Sequence, residues 1–505
     1  MKEPITTAPA LDPTPPAIDT LVEELREYHT IYSPLFQRRE QREGVSKSLH
    51  GLLLDIPRQS IEPMVLALEG AKASAVRTLP LFISEGTWDD EALLHRHWQE
   101  VDTCLGEADG VLTLDGSDCL KQGQDSVGVK RQYCGEVGKR ANGQAGVFVG
   151  YASRKGYPLL DRRLYGPQEW VEDERYAKRR RRCGVPAALP CKPKPTLGWE
   201  MIQAVHRAPP LRARWVTCDE ALGRDTTLLD HLDGLGLWYC AEVPHDTQVW
   251  RQRPATAVPA WAGRGRQPTR ARVVAGTPAP HTVVVVAESL PAAHWSRPTR
   301  KEGRKGPIVA DGAALRGSAV REGLPGPEVW LMIRRNPLTG ELKPYVSNAP
   351  VDLTLATLVR LSGMRWPIET CCEDGKQYVG MGDDEVRSWR GWHHPMTLWI
   401  LAHFFLVRAC LRLKKSPWLD SPPGAGALVA CPARTDIRRA GGTGHRGLLA
   451  AAESRRLSLA SQAPESTMHA TRVKLRCSIR WIPIVEKLTV EHWSGPEIQA
   501  AFAQS

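Results

Sequence analysis

The chain has 505 residues, 42% of them hydrophobic, and a formal charge of +11 at pH 7. That length gives room for about three domains with sizeable cores, and the basic balance points to a polyanionic partner, nucleic acid before membrane. Twelve cysteines lie between Cys104 and Cys477 with no Cys-x-x-Cys pair, which argues against a structural zinc module and a disulfide scaffold and fits a reduced, cytoplasmic protein.

Residues 1–17 are proline-rich, lack an apolar targeting segment and read as a disordered leader. Residues 18–105 read as a helical domain, assigned to DNA binding. Its stretches "IDTLVEELREYHTIY" and "DEALLHRHWQEVDTCL" repeat apolar side chains at helical spacing. Three short β-rich runs follow: "GVLTLDGS", "QAGVFVGYAS" and "PLLDRRLYG". Glycine-bearing turns separate them, which predicts three consecutive antiparallel strands. The run "AKRRRRCGVP" (177–186) predicts a charged, solvated break. A helix over "LGWEMIQAVHRA" leads to a fourth strand, "RWVTC", which ends at Asp219, and "LWYCAEVP" predicts a fifth. Residues 106–245 thus form the first part of a core.

Residues 246–344 are rich in Pro, Gly and Arg and predict an inserted β-rich domain, with strands in "HTVVVVAES" and "EVWLMIRRN". The strand pattern resumes in "KPYVSNAP", and residues 345–415 complete the core with helices. Within them "MTLWILAHFFLV" (396–407) is too short to span a bilayer and predicts a buried helix. The Arg-, Ala- and Ser-rich tail, 416–505, shows only weak periodicity.

Two aspartates share one setting. Asp115 ends "GVLTLD" and Asp219 ends "RWVTCD". An acid at the end of an α/β strand projects from the edge where such sheets build their sites. Taken alone, each also reads as a turn or cap aspartate. A third acid comes from "RWPIETCCEDGKQYVGM" (365–381). Proline at the first helical position sets a helix start near Pro367, with Arg365 just before it. Glu369 then lies in the first turn, where it also suits the helix dipole, and Lys376 falls on nearly the same face. Two strand-end aspartates and a helix-borne glutamate can hold two divalent cations through hard oxygens and act in phosphoryl transfer.

With these residues in place, the chain resembles the DDE transposases of bacterial insertion sequences, in the branch related to the type 701 elements. Arg365, Glu369 and Lys376 match the family's Tyr-x2-Arg-x3-Glu-x6-Lys signature, with Ser362 at the tyrosine position. "LTLDGSDCLKQGQDSVGVKRQYCGEVGKRANGQAGVFVGYAS" is similar to the first-aspartate segment and "RWVTCDEALGR" to the second. "DEVRSWRGWHHPMTL" is similar to the segment after the glutamate. Cys372, Asp384 and Pro395 depart from the family's usual residues.

The resemblance implies an α/β fold: an RNase H-like mixed-sheet core interrupted by a β-rich insertion and preceded by a helical domain. It implies Asp115, Asp219 and Glu369 as catalytic ligands of two divalent ions, Mg2+ or Mn2+. The implied reaction is cleavage at the ends of an insertion element and attack of the freed 3′-hydroxyl on target DNA. Double-stranded DNA would be the partner, bound by a homodimer associated with the bacterial nucleoid. Arg365 and Lys376 would contact phosphate. So would Lys121, Arg131 and Lys139, which otherwise read as surface cations. Trp295 and Trp330 in the insertion are candidates for stacking on an unpaired base, or for core packing. Two rival classes stay open: a DNA-binding relative that regulates transposition without cutting, and another RNase H-like nuclease.

Overall fold

A computed structural model describes residues 15–414 apart from 71–72, 136, 209–210, 262, 304–305 and 384. Residues 1–14 of the expected leader, the tail 416–505 and Asp384 lie outside the described residues, while residues 15–17, expected in the leader, open the first helix, whose first turn tolerates proline. Five helices come first: α1 (Pro15–Tyr32), α2 (Arg39–Leu52), α3 (Ile61–Glu69), α4 (Ala73–Ser84) and α5 (Asp90–Leu105). Asp89 caps α5 by accepting a hydrogen bond from the Ala92 N–H at 3.0 Å.

The core sheet begins with β1 (Val111–Leu120), β2 (Lys130–Cys134), β3 (Lys139–Ala152) and β4 (Leu159–Leu164). β1 pairs antiparallel with β3, and β2 and β4 follow one another along the other edge of β3. Three strands were expected here. β2 is the additional one, an exposed, cation-bearing strand held by its ladder to β3 rather than by an apolar face. Next come α6 (Gln168–Glu172), α7 (Ala177–Arg182) and α8 (Lys194–Arg207). The arginine run expected to be a loop is helix α7. Arginine is a good helix former, and Arg180 anchors the turn by donating to the carbonyls of Trp170 and Asp173 at 3.2 and 2.7 Å.

β5 (Trp215–Cys218), α9 (Glu220–Gly223), α10 (Thr226–Gly234) and β6 (Trp238–Glu242) complete this half. β5 runs parallel between β1 and β6. Three antiparallel strands, β4, β3 and β1, therefore continue into two parallel ones, which is the expected RNase H-like arrangement.

The segment expected as an insertion holds β7 (Gln248–Trp250), β8 (Thr256–Ala257), β9 (Arg272–Val273) and β10 (His281–Thr282). It continues through α11 (Val283–Glu288), β11 (Thr299–Gly303), β12 (Gly306–Val309), β13 (Asp311–Arg321) and β14 (Leu324–Arg335), and β15 (Leu342–Ser347) follows. β13, β14 and β15 extend the core sheet beyond β6. The full order is β10-β7-β13-β14-β15-β6-β5-β1-β3-β2, with β4 on β3. The valine run expected as a strand is helix α11. Thr282 caps it, and Val283, Val286 and Ala287 are buried at helical spacing, so packing overrides β-branched propensity.

Three helices close the described chain: α12 (Leu355–Gly363), α13 (Trp366–Tyr378) and α14 (Trp389–Lys414). α14 extends well past the apolar run that predicted it. Residues 389–412 are long and apolar enough to cross a membrane, yet 72% of the apolar window is buried inside the protein. α14 packs on α2, α4, α5 and β4. Tyr28 of α1 donates to its Leu401 carbonyl at 2.9 Å, and the helical region and the sheet share one continuous hydrophobic cluster.

Candidate active site

Sheet register places the first two acids. The parallel β1–β5 ladder ends at Leu114 opposite Cys218, so Asp115 and Asp219 are the next residues of neighbouring strands. The β5–β6 ladder ends at Cys218 opposite Ala241, which adds Glu242 at the same end. Three acids thus stand in a row where the parallel pairing stops. Asp219 and Glu242 lie at strand ends, whereas Asp115, expected at one, sits mid-strand, because β1 runs on to Leu120 on its antiparallel ladder to β3. Asp219 also caps α9, its Oδ1 accepting from the Leu222 N–H at 3.0 Å. The cap reading therefore holds for that residue, which also stands beside Asp115 at the end of the parallel pairing.

The third acid arrives on α13, whose first turn carries Pro367 and Glu369 as the sequence predicts. Ile368 is buried in the main core, and α13 packs on β1 and β3. Lys376 Nζ donates to the Asp118 carbonyl at 2.5 Å, tying the helix to the strand that carries Asp115. Ser362, at the tyrosine position, is buried. It donates to the Val359 carbonyl at 2.8 Å and accepts from Arg334 Nη1 at 3.1 Å.

Arg365 joins the set. Its Nη1 lies 3.1 Å from Asp115 Oδ2 and 2.6 Å from Glu369 Oε1, and its Nε lies 3.6 Å from Glu242 Oε2. Burial pulls against its charge, but Glu369, Asp115 and Glu242 outweigh that and hold its pKa well above the ordinary value. Asp115 is pushed up to about 7, by burial first and by Asp219 next, with Arg365 only partly offsetting them. Asp219 is also raised, again chiefly by burial, against the Leu222 N–H and Arg365. The row of acids therefore carries more negative charge than one guanidinium settles. Among the described residues, no three His, Cys, Asp or Glu side chains stand close enough together to hold a metal ion, and Arg365 lies between the acids.

Glu242 is the residue the sequence reading passed over. Its run "LWYCAE" has the same form as those of Asp115 and Asp219, an apolar strand closed by an acid. The other predicted contacts lie elsewhere. Lys121 follows the end of β1, about 20 Å beyond Asp115 at the usual strand rise. Arg131 on β2 and Lys139 on β3 are exposed on the same hairpin. Trp330 is half-buried and donates its indole N–H to the Pro350 carbonyl at 2.9 Å. Trp295 is half-buried, with the Arg335 guanidinium 4.1 Å from its ring centre.

Comparison with curated proteins gives no match. Among solved structures the chain is similar to the piggyBac transposase in its synaptic complex with hairpin DNA. That likeness has 10% identity and a TM-score of 0.35, and covers 79% of this chain and 72% of that one. It is too distant to assign any residue. The family described as a DDE superfamily endonuclease matches residues 32–307, a span that includes both Asp115 and Asp219. That match takes in more than half of the sequence, and the chain belongs to the DDE superfamily endonucleases.

Proposed function

We propose that the chain is a transposase that cuts DNA at the ends of an insertion element and joins the freed 3′-hydroxyl to target DNA. The observation that carries this reading is the row of acids just past the parallel β1–β5–β6 pairing, with Glu369 linked to Asp115 through Arg365. Asp115, Asp219 and Glu369 suit a pair of Mg2+ or Mn2+ ions: all are hard-oxygen donors, and the burial that raises Asp115 and Asp219 is relieved by added positive charge. Such ions, when bound, would activate the attacking hydroxyl and stabilise the leaving oxygen. The chain's own groups do the rest. Two neighbouring strands carry two of the carboxylates, α13 carries the third, and Arg365 balances their charge from within the set. Lys121, Arg131 and Lys139 continue the positive track along the hairpin beyond β1, where a duplex would follow.

The test is cleavage of an end-labelled duplex carrying the element's terminal repeat, with Mg2+ or with EDTA. Metal-dependent nicking at the repeat boundary is expected. Tight binding of the repeat without cutting, in either Mg2+ or Mn2+, would overturn the reading in favour of a non-catalytic regulator.

A further inference from the structure

Glu242 is almost buried, with 11% of its side chain exposed. Two groups on β15 fix its carboxylate: Lys343 Nζ at 3.2 Å and the Tyr345 hydroxyl at 3.3 Å. Arg365 approaches it with Nε at 3.6 Å, while the far nitrogen of the same fork, Nη1, sits on Asp115 and Glu369. One guanidinium thus reaches from Glu242 to the two acids and occupies the space between carboxylates that a cation would need. An arginine does not shed its proton in a protein, so its charge leaves that space only if the side chain moves. With 17% of its side chain exposed, Arg365 cannot simply turn to water. It needs another carboxylate in reach, and Glu242 is already facing its Nε.

We propose that Glu242 is a positioning residue, which holds Arg365 on the β6 side so that Asp115 and Glu369 are released to a divalent cation. This inference rests on the metal-dependent reading of the site. Arg365 then acts as a resident counter-charge in the metal-free protein, and Glu242 is its alternative partner when metal binds. Lys343 and Tyr345 keep the Glu242 carboxylate in place in both arrangements.

Mn2+ binding, measured calorimetrically on the full chain without DNA, tests the proposal. Four proteins are compared: wild type, Glu242→Gln, Arg365→Gln and the double variant, each checked for folding by circular dichroism. Removing one partner of a second-layer contact at a metal site costs on the order of 10–100-fold in affinity, so Glu242→Gln should weaken Mn2+ binding by at least about 10-fold. Arg365→Gln should bind at least as tightly as wild type, because the competing cation is gone. The double variant should match Arg365→Gln, since Glu242 then has nothing to hold. The single arginine variant keeps the test decisive even if Glu242→Gln does not fold. Weaker Mn2+ binding by Arg365→Gln would overturn the proposal. So would unchanged binding by Glu242→Gln, or an undiminished Glu242 effect in the double variant, which would make Glu242 a ligand itself. Wild type that binds no Mn2+ would sink the metal-dependent function, and this inference with it.

Discussion

A Cβ on Gly375 would lie 1.8 Å from Cζ2 of Trp399, so α13 crosses α14 where no side chain fits. Trp399 is buried in the main core. Replacing glycine by alanine inside a helix ordinarily gains about 1 kcal/mol in propensity. Overpacking a filled core costs about 1–3 kcal/mol and more when the obstacle cannot move, so the clash should win in Gly375→Ala. Glu369 rides on the same helix, and its displacement should lower DNA cleavage further than the stability loss explains. Urea melts and cleavage rates on the same preparation check this. An unchanged midpoint with an unchanged rate would mean that the two helices do not meet at Gly375.

What the sequence showed and what it hid divide along local and long-range lines. The start of α13 and the placement of Glu369 follow from Pro367 and helical spacing, both local signals. Asp115 and Asp219 stood out because an apolar run closed by an acid is also local. Their adjacency is not local: it depends on the β1–β5 register. Glu242 bears the same local mark, but its meaning comes from Arg365, Lys343 and Tyr345, all distant in sequence. The valine run of α11 misled because β-branched propensity is a weak preference beside burial at helical spacing. The resumed strand pattern in "KPYVSNAP" marked β15 as core, but the joining of β13 and β14 to the same sheet leaves no trace in composition, since edge pairing through backbone groups is nearly blind to side chains.

Acid should destabilise the fold through its buried histidines. His97 on α5 and His403 on α14 are both enclosed by apolar packing, and burial lowers each to about 4. In the unfolded chain they titrate near 6.5. Between those values the unfolded state binds more protons, so stability is full above pH 6.5 and falls as pH drops toward 4. Each histidine contributes about 1.4 kcal/mol per pH unit over that window. Thermal melts at pH 7 and pH 5 should therefore differ, and the difference should shrink in His403→Leu, which cannot take up a proton. An equal drop in both proteins would place the acid sensitivity elsewhere.

The cations of α7 should contribute to DNA affinity. Arg179, Arg182 and Arg387 share one carboxylate, Asp125, at 4.0, 3.7 and 3.9 Å, so the patch keeps a surplus of positive charge. Backbone links make it firm: Trp389 N–H donates to the Cys183 carbonyl at 2.7 Å, and Val127 N–H to the Arg387 carbonyl at 3.0 Å. Each phosphate contact contributes about 0.9 to the slope of log K against log salt. Replacing Arg179, Arg181 and Arg182 together by Gln should lower that slope by up to about 2–3, read by fluorescence anisotropy across a salt series. Asp125→Asn should raise affinity slightly, because it removes a charge that repels phosphate. A slope unmoved by the triple variant would assign α7 to solvent alone.

Removing a single site charge should separate catalysis from both binding and folding. Asp219→Asn is the clean case, because Asn caps a helix about as well as Asp and the bond from the Leu222 N–H can persist. Asp115→Asn likewise keeps an oxygen for the Gly116 N–H, now 2.7 Å from Oδ1. On the proposed metal-dependent function, loss of either carboxylate should cost cleavage at least as much as the 10–100-fold typical of outer-layer losses, while DNA affinity stays within a few-fold of wild type. Stability should move the other way. Burial and Asp219 raise Asp115 to about 7 from 3.8, so in metal-free protein its charged form weakens the fold as pH rises through that range. Asn carries no such penalty, and Asp115→Asn in EDTA at pH 8 should melt higher than wild type, by the equivalent of about 1–3 kcal/mol. A variant that loses cleavage and gains stability marks an acid kept for chemistry. One that loses both would make Asp115 a structural partner of Arg365, and the catalytic assignment would have to move along the row to Glu242.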